Sequence, residues 1–153
     1  MNLEREDKQT EPMTVLLVED DDGDAKAVRR AFDGSRIANP VIRVRDGVEA
    51  LALLRGEAGI APEEPMFLLV DLNMPRMNGL ELVRAIRADP RLTHHIIFVL
   101  TTSRDPQDIR EAYASHVAGY ILKQDAGRDF RALVHTLGDY WTCVQKPIAD
   151  GAP

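Results

Sequence analysis

Short apolar runs alternate with amphipathic stretches along this chain, the pattern of an α/β domain built on a parallel sheet. Five runs read as strands: Val15–Val18, Val41–Val44, Phe67–Val70, Ile96–Leu100 and Tyr120–Leu122. Four of them are continuously apolar, as expected of strands covered on both faces. The second reads Val41-Ile-Arg-Val-Arg45, and its charges suit an edge strand. Helices fit between the strands. Asp46 stands three residues before Glu49, and Asn78 three before Glu81, each pair matching a helix cap followed by an acid in the first turn. Asp105-Pro106 puts a cap ahead of a proline at the first helical position, where its missing N–H costs nothing. Asp89-Pro90 should close the helix that Asn78 opens, because a residue before proline disfavours the α region. The last helix carries Phe130, Leu133, Val134, Leu137 and Trp141 as one apolar stripe, facing a core or a partner. No internal repeat interrupts this order.

A chain of 153 residues suits one domain with short tails, since single domains commonly run ~100–150 residues. The expected division is a flexible leader over 1–13, a folded domain over 14–142 and a flexible tail over 143–153. A net charge of −6 argues against nucleic-acid binding, which needs a basic face. The lone Cys143 excludes an intrachain disulfide and reads as a partly buried free thiol in a reducing compartment. The longest apolar runs have five residues, against ~20 for a membrane-spanning helix. The charged leader lacks the apolar centre of a signal peptide, so the expected location is cytoplasmic.

Four strands end in a polar residue: Glu19-Asp20 after the first, Asp71 after the third, Thr101 after the fourth and Lys123 after the fifth. Open α/β sheets bind ligands beyond the carboxyl ends of their strands, so these widely separated residues should converge. Three crowded carboxylates need a cation among them, and all-oxygen ligands suit magnesium. Lys123 adds a point charge for a phosphate, and Thr101 adds a hydroxyl donor. Asp71 is left as a nucleophile. Together they form an assembly for phosphoryl transfer, where catalysis is mostly positioning and charge neutralisation.

The set Glu19-Asp20, Asp71-Leu-Asn-Met-Pro75, Asn78-Gly79, Thr101 and Gly119-Tyr-Ile-Leu-Lys123 resembles the receiver domains of response regulators. The resemblance spans about 14–142. It implies a flavodoxin-like fold, with five parallel strands in order 2-1-3-4-5 and five helices. It implies that Asp71 accepts a phosphoryl group from a phosphohistidine on a sensor histidine kinase. Magnesium would be held by Glu19, Asp20, Asp71 and the backbone carbonyl of Asn73. Thr101 and Lys123 would grip the phosphoryl oxygens, and Tyr120 would be the aromatic that switches with Thr101. On this reading the protein is a phosphoacceptor with self-catalysed transfer and hydrolysis rather than an enzyme. One position departs from the family: Gln124 stands where proline, joined by a cis bond, usually follows the lysine. A cis bond to a non-proline residue costs ~3–4 kcal/mol, so a trans bond, a rearranged loop and a poorer reach for Lys123 are expected. The Glu19-to-Asp24 start, Leu100-Thr-Thr-Ser103 and Asp139-Tyr-Trp141 further resemble single-domain regulators partnered with bacterial phytochromes, which dimerise through helix 4, strand 5 and helix 5.

Several alternatives compete with this reading. The acidic run 19–24 could be a solvated loop. It is no EF-hand, because aligning Gly23 with the invariant glycine places Val18 and Arg29 where acids are required. A haloacid-dehalogenase-type phosphatase also uses a strand-end aspartate, but its general acid would fall at Asn73, and an amide cannot protonate a leaving group. A receiver that no longer takes phosphate, acting as a pure interaction module, is kept open by Gln124. A transcription factor is disfavoured by the short stretch after the last helix. His94 and His95 should point to opposite faces and make poor metal ligands, and no glycine-rich phosphate loop occurs.

Overall fold

The computed structural model describes residues 12–35 and 39–148. Most of the expected leader and the end of the expected tail therefore lie outside the described residues. The strands are β1 (Val15–Val18), β2 (Val41–Val44), β3 (Phe67–Val70), β4 (Ile96–Thr101) and β5 (Gly119–Leu122). All pair in parallel, in the order β2-β1-β3-β4-β5. The helices are α1 (Asp22–Asp33), α2 (Gly47–Leu54), α3 (Gly79–Ala88), α4 (Pro106–Ala114) and α5 (Arg131–Cys143). This is the flavodoxin-like architecture expected from the sequence.

Alternation along the strands divides the interior in two. Leu16, Val18, Leu68, Val70, Ile97 and Val99 face Ala50, Leu54, Val83, Ile86 and Ala112 of α2, α3 and α4. Val15, Leu17, Phe67, Leu69, Phe98 and Leu100 face Val28 and Phe32 of α1 and Leu133, Val134 and Leu137 of α5. Every residue of β1 and β3 is buried, which is why these runs carry no polar position. β5 differs from expectation. Although apolar, all four of its residues are only partly buried, because it forms the second edge of the sheet.

The caps fall where the sequence places them. Asp46 accepts from the Glu49 N–H, Asn78 and Glu81 form a reciprocal box, and Asp105 precedes Pro106. Asp89 ends α3. The start of the last helix is a correction. Asp129 and Phe130 take left-handed backbone angles within a short 3₁₀ turn, Arg128–Phe130, so Phe130 is buried ahead of the helix rather than within it. Cys143 is exposed, not partly buried. His94 and His95 do not diverge: they lie in the turn before β4 with ring centroids 4.2 Å apart. His95 is buried, and its Nδ1 accepts from the Met66 N–H at 3.1 Å. Burial pushes its pKa down to about 4. At the amino end of β4, this pair is remote from the carboxyl edge of the sheet. No helix among the described residues is long and apolar enough to cross a membrane.

Candidate functional site

Register brings the strand-end residues together. Val18 pairs with Val70, and Val70 with Val99, so Glu19 and Asp71 leave adjacent strands at the same level. Thr101 pairs with Leu122, which places Lys123 one residue beyond. Glu19, Asp71 and Thr101 are buried at 2%, 7% and 0% exposure, although all three are polar. Burial of polar groups at one sheet edge calls for mutual compensation.

Lys123 supplies much of it. Its Nζ donates to Asp24 Oδ2 at 2.7 Å, to Glu19 at 3.0 Å and to Asp71 Oδ2 at 3.2 Å. Lys123 thus contacts the Asp71 carboxylate directly although Gln124 follows it. The Lys123–Gln124 bond is trans as expected, since no described peptide bond is cis. The chain turns directly into a 3₁₀ turn at Lys123–Asp125, which leaves the lysine in the cleft. Burial pulls the Lys123 pKa down, but the Asp24 hydrogen bond and the charges of Asp71 and Glu19 outweigh it and hold the ammonium form.

Glu19, Asp20 and Asp71 each offer a carboxylate oxygen, and these lie within 4.8 Å of one another. Burial, then the Asp71 charge, pushes the Glu19 pKa up to about 7 against the pull of Lys123. One ammonium thus leaves the acid cluster under-neutralised. Three oxygen donors this close fit a hard divalent cation. A raised Glu19 pKa means that the folded chain holds a proton there through acidic pH, and a cation must displace it. Divalent-cation affinity should therefore rise with pH towards 7 and level off above it, by up to about tenfold per pH unit on the acid side. Calorimetric titration on either side of pH 7 checks this, and a flat profile would place the proton elsewhere.

The surrounding loops hold these groups in place. The Asn73 N–H donates to Asp71 Oδ1 at 3.3 Å, setting that residue beside the acid. Arg76, at a left-handed φ of 63°, ties the β3–α3 loop to the buried Asp46. Thr101 Oγ1 accepts from the Ser103 N–H, Ser103 donates to Asp108 at 2.6 Å, and the Tyr120 hydroxyl donates to the Ser103 carbonyl at 2.8 Å. Thr101 and Tyr120 are thereby linked through one residue. The sequence placed Asp24 and Ser103 within stretches of family resemblance but gave neither a role. Asp24 was legible in part, because a cap at Asp21 places it in the first turn of a helix opening at the site edge.

Buried carboxylates beside a lysine, at the carboxyl edge of a sheet ordered 2-1-3-4-5, define a phosphoacceptor signalling module. The chain belongs to the response regulator receiver domain family, matched over residues 15–135, and it is a two-component signalling protein, not a conventional enzyme. It is similar to the response regulator Rcp1 of Synechocystis, at 34% identity over 88% of this chain and 92% of Rcp1. It is also similar to the probable methanogenesis regulatory protein FilR2 of Methanothrix harundinacea, at 35% identity over 91% and 87% of the two chains. Among solved structures, the phosphorylated cyanobacterial phytochrome response regulator RcpA matches with a TM-score of 0.78 and 31% identity, covering 89% of this chain and 99% of that one. The Mn²⁺-bound form of Rcp1 matches with the same TM-score at 32% identity and the same coverage. Family membership excludes the haloacid-dehalogenase-type alternative.

Proposed function

We propose that Asp71 accepts a phosphoryl group from the phosphohistidine of a sensor histidine kinase, in a site that takes magnesium. The observation that carries this reading is the Lys123 ammonium 3.2 Å from Asp71 Oδ2, in a cleft where Glu19 and Asp20 oxygens lie within 4.8 Å. Glu19, Asp20, Asp71 and the Asn73 carbonyl are the magnesium ligands. When bound, the metal neutralises the oxygens of the transferring group and orients it. An Asp71 carboxylate oxygen attacks phosphorus, the phosphorus–nitrogen bond breaks, and the imidazole leaves with a proton. Lys123 and Thr101 hold the phosphoryl oxygens of the acyl phosphate. Attack by water on phosphorus later regenerates the carboxylate and releases inorganic phosphate, within the same site.

The new charge draws Thr101 towards the phosphoryl group, and through Ser103 this disturbs the Tyr120 hydroxyl bond. Similarity to phytochrome response regulators supports a phytochrome-type kinase as the partner. The output surface is a homodimer face of α4, β5 and α5, supported by the exposed Tyr113 and Tyr140 and by the half-buried β5 edge. The acidic net charge supports the absence of a nucleic-acid partner, and the lone cysteine and short apolar runs support a cytoplasmic location.

The test is incubation with acetyl phosphate and magnesium, followed by intact-mass measurement and peptide mapping. One phosphoryl adduct on the peptide containing Asp71, abolished by a chelator, is expected. No adduct would leave only an interaction module.

A further inference from the structure

The shortest contact of Lys123 is with neither of its buried neighbours but with Asp24, on the first turn of α1. Asp24 lies outside the three-carboxylate cluster and is 38% exposed, whereas Lys123 is 11% exposed. Its backbone is fixed: the Asp24 N–H donates to the capping Asp21 carboxylate at 2.8 Å. Asp24 is therefore a carboxylate on a rigid helix start that holds one of the three ammonium protons and leaves the other two for Glu19 and Asp71.

We propose that Asp24 is the positioning residue for Lys123, anchoring its ammonium at the rim of the cleft when a cation occupies the acid cluster. This deepens the reading above and rests on it. A divalent cation among Glu19, Asp20 and Asp71 repels an ammonium that shares two of those carboxylates. Without another anion, Lys123 either competes with the metal for them or swings out to water. Asp24 offers a third place, contiguous with the site and not itself a ligand. From there Nζ turns one donor towards a phosphoryl oxygen on Asp71 while keeping its bond to α1. The anchor matters more in this chain than usual, because Gln124 leaves the following loop without proline's constraint on the backbone.

The test is a double-mutant cycle of Asp24→Asn and Lys123→Met, read by magnesium calorimetry and by the rate of labelling from acetyl phosphate. In the parent, Asp24→Asn should weaken magnesium binding and slow labelling, each by about fivefold, the scale of a partly exposed ion pair. Asp24→Glu should restore part of both. In the Lys123→Met background, Asp24→Asn should change either quantity by less than about twofold, leaving only the distant Coulomb effect of the lost charge. Equal losses in both backgrounds would overturn the proposal, because Asp24 would then act on the metal or the fold directly. Unchanged binding and labelling in Asp24→Asn would overturn it too. A parent protein that neither binds magnesium nor takes label refutes the phosphoacceptor reading itself, a result distinct from either.

Discussion

Asp71→Asn is expected to abolish phosphoryl uptake, with labelling from acetyl phosphate reduced at least about 1000-fold, equivalent to about 4 kcal/mol of barrier. The amide keeps the shape of the carboxylate and an oxygen to accept the Asn73 N–H, but it has no charged oxygen with which to attack phosphorus. The fold should survive, with stability changed by no more than about 1 kcal/mol, because Lys123 retains Asp24 and Glu19 as partners. A second consequence separates this from a general loss of structure. The Asp71 charge is the second cause, after burial, of the raised Glu19 pKa. Its removal should lower that pKa, moving the pH dependence of residual cation binding towards acid. Full labelling of the variant would shift the acceptor role to another carboxylate of the cluster, the exposed Asp20 having an oxygen within 4.8 Å of the others.

The sequence made the strands and their polar ends readable because burial on both faces leaves nothing but apolar residues inside a central strand. Val15–Val18 and Phe67–Val70 are bounded to the residue for that reason. The convergence of Glu19, Asp20, Asp71 and Lys123 followed from parallel topology alone. β5 was less legible, since Tyr120-Ile-Leu122 is apolar yet lies at an edge, and composition cannot distinguish an edge left open from a covered strand. The left-handed Asp129 and Phe130 gave no signal either, because neither is the glycine such angles favour. His94 and His95 were assigned to diverging faces on the assumption of extended backbone. They lie in a turn, where period-two alternation does not apply. The Lys123–Asp24 pair was hidden for a different reason: local sequence positions each residue on its own element, but only the packing of α1 against the Arg128–Phe130 turn and α5, which follow β5, sets which carboxylate the ammonium meets first. Gln124 bears on Lys123 only through the loop, and nothing in the sequence signalled that three carboxylates hold the lysine from the other side.

Gly79→Ala should be among the most damaging single methyl additions in the protein. Gly79 opens α3 directly after the Asn78 cap, and its N–H donates to the Leu72 carbonyl at 3.1 Å. An added Cβ would fall on the Asp71 carbonyl oxygen and the Leu72 Cα. Both are backbone atoms, and Leu72 is itself buried, so no side-chain rotation can relieve the overlap. The helix start or the strand end has to move. Overpacking a rigid contact costs about 3 kcal/mol at the upper end of its range, which for a chain of this size lowers Tm by about 10 °C. The backbone forced to shift is that of Asp71 and Leu72, immediately before Asn73, so magnesium binding and labelling should fall even at temperatures where the variant stays folded. Gly138→Ala is the matched control. It adds the same methyl within α5, where nothing lies within 4 Å of the new Cβ. A glycine in a helix interior is worth about 0.5–1 kcal/mol less than alanine. That variant should therefore melt higher than the parent and label at the parent rate. Thermal melts and labelling rates of the two variants side by side decide the matter. If Gly79→Ala melts with the parent, α3 can move without disturbing the acid cleft, and the close contact between the helix start and the Asp71 carbonyl does not fix the geometry of the site.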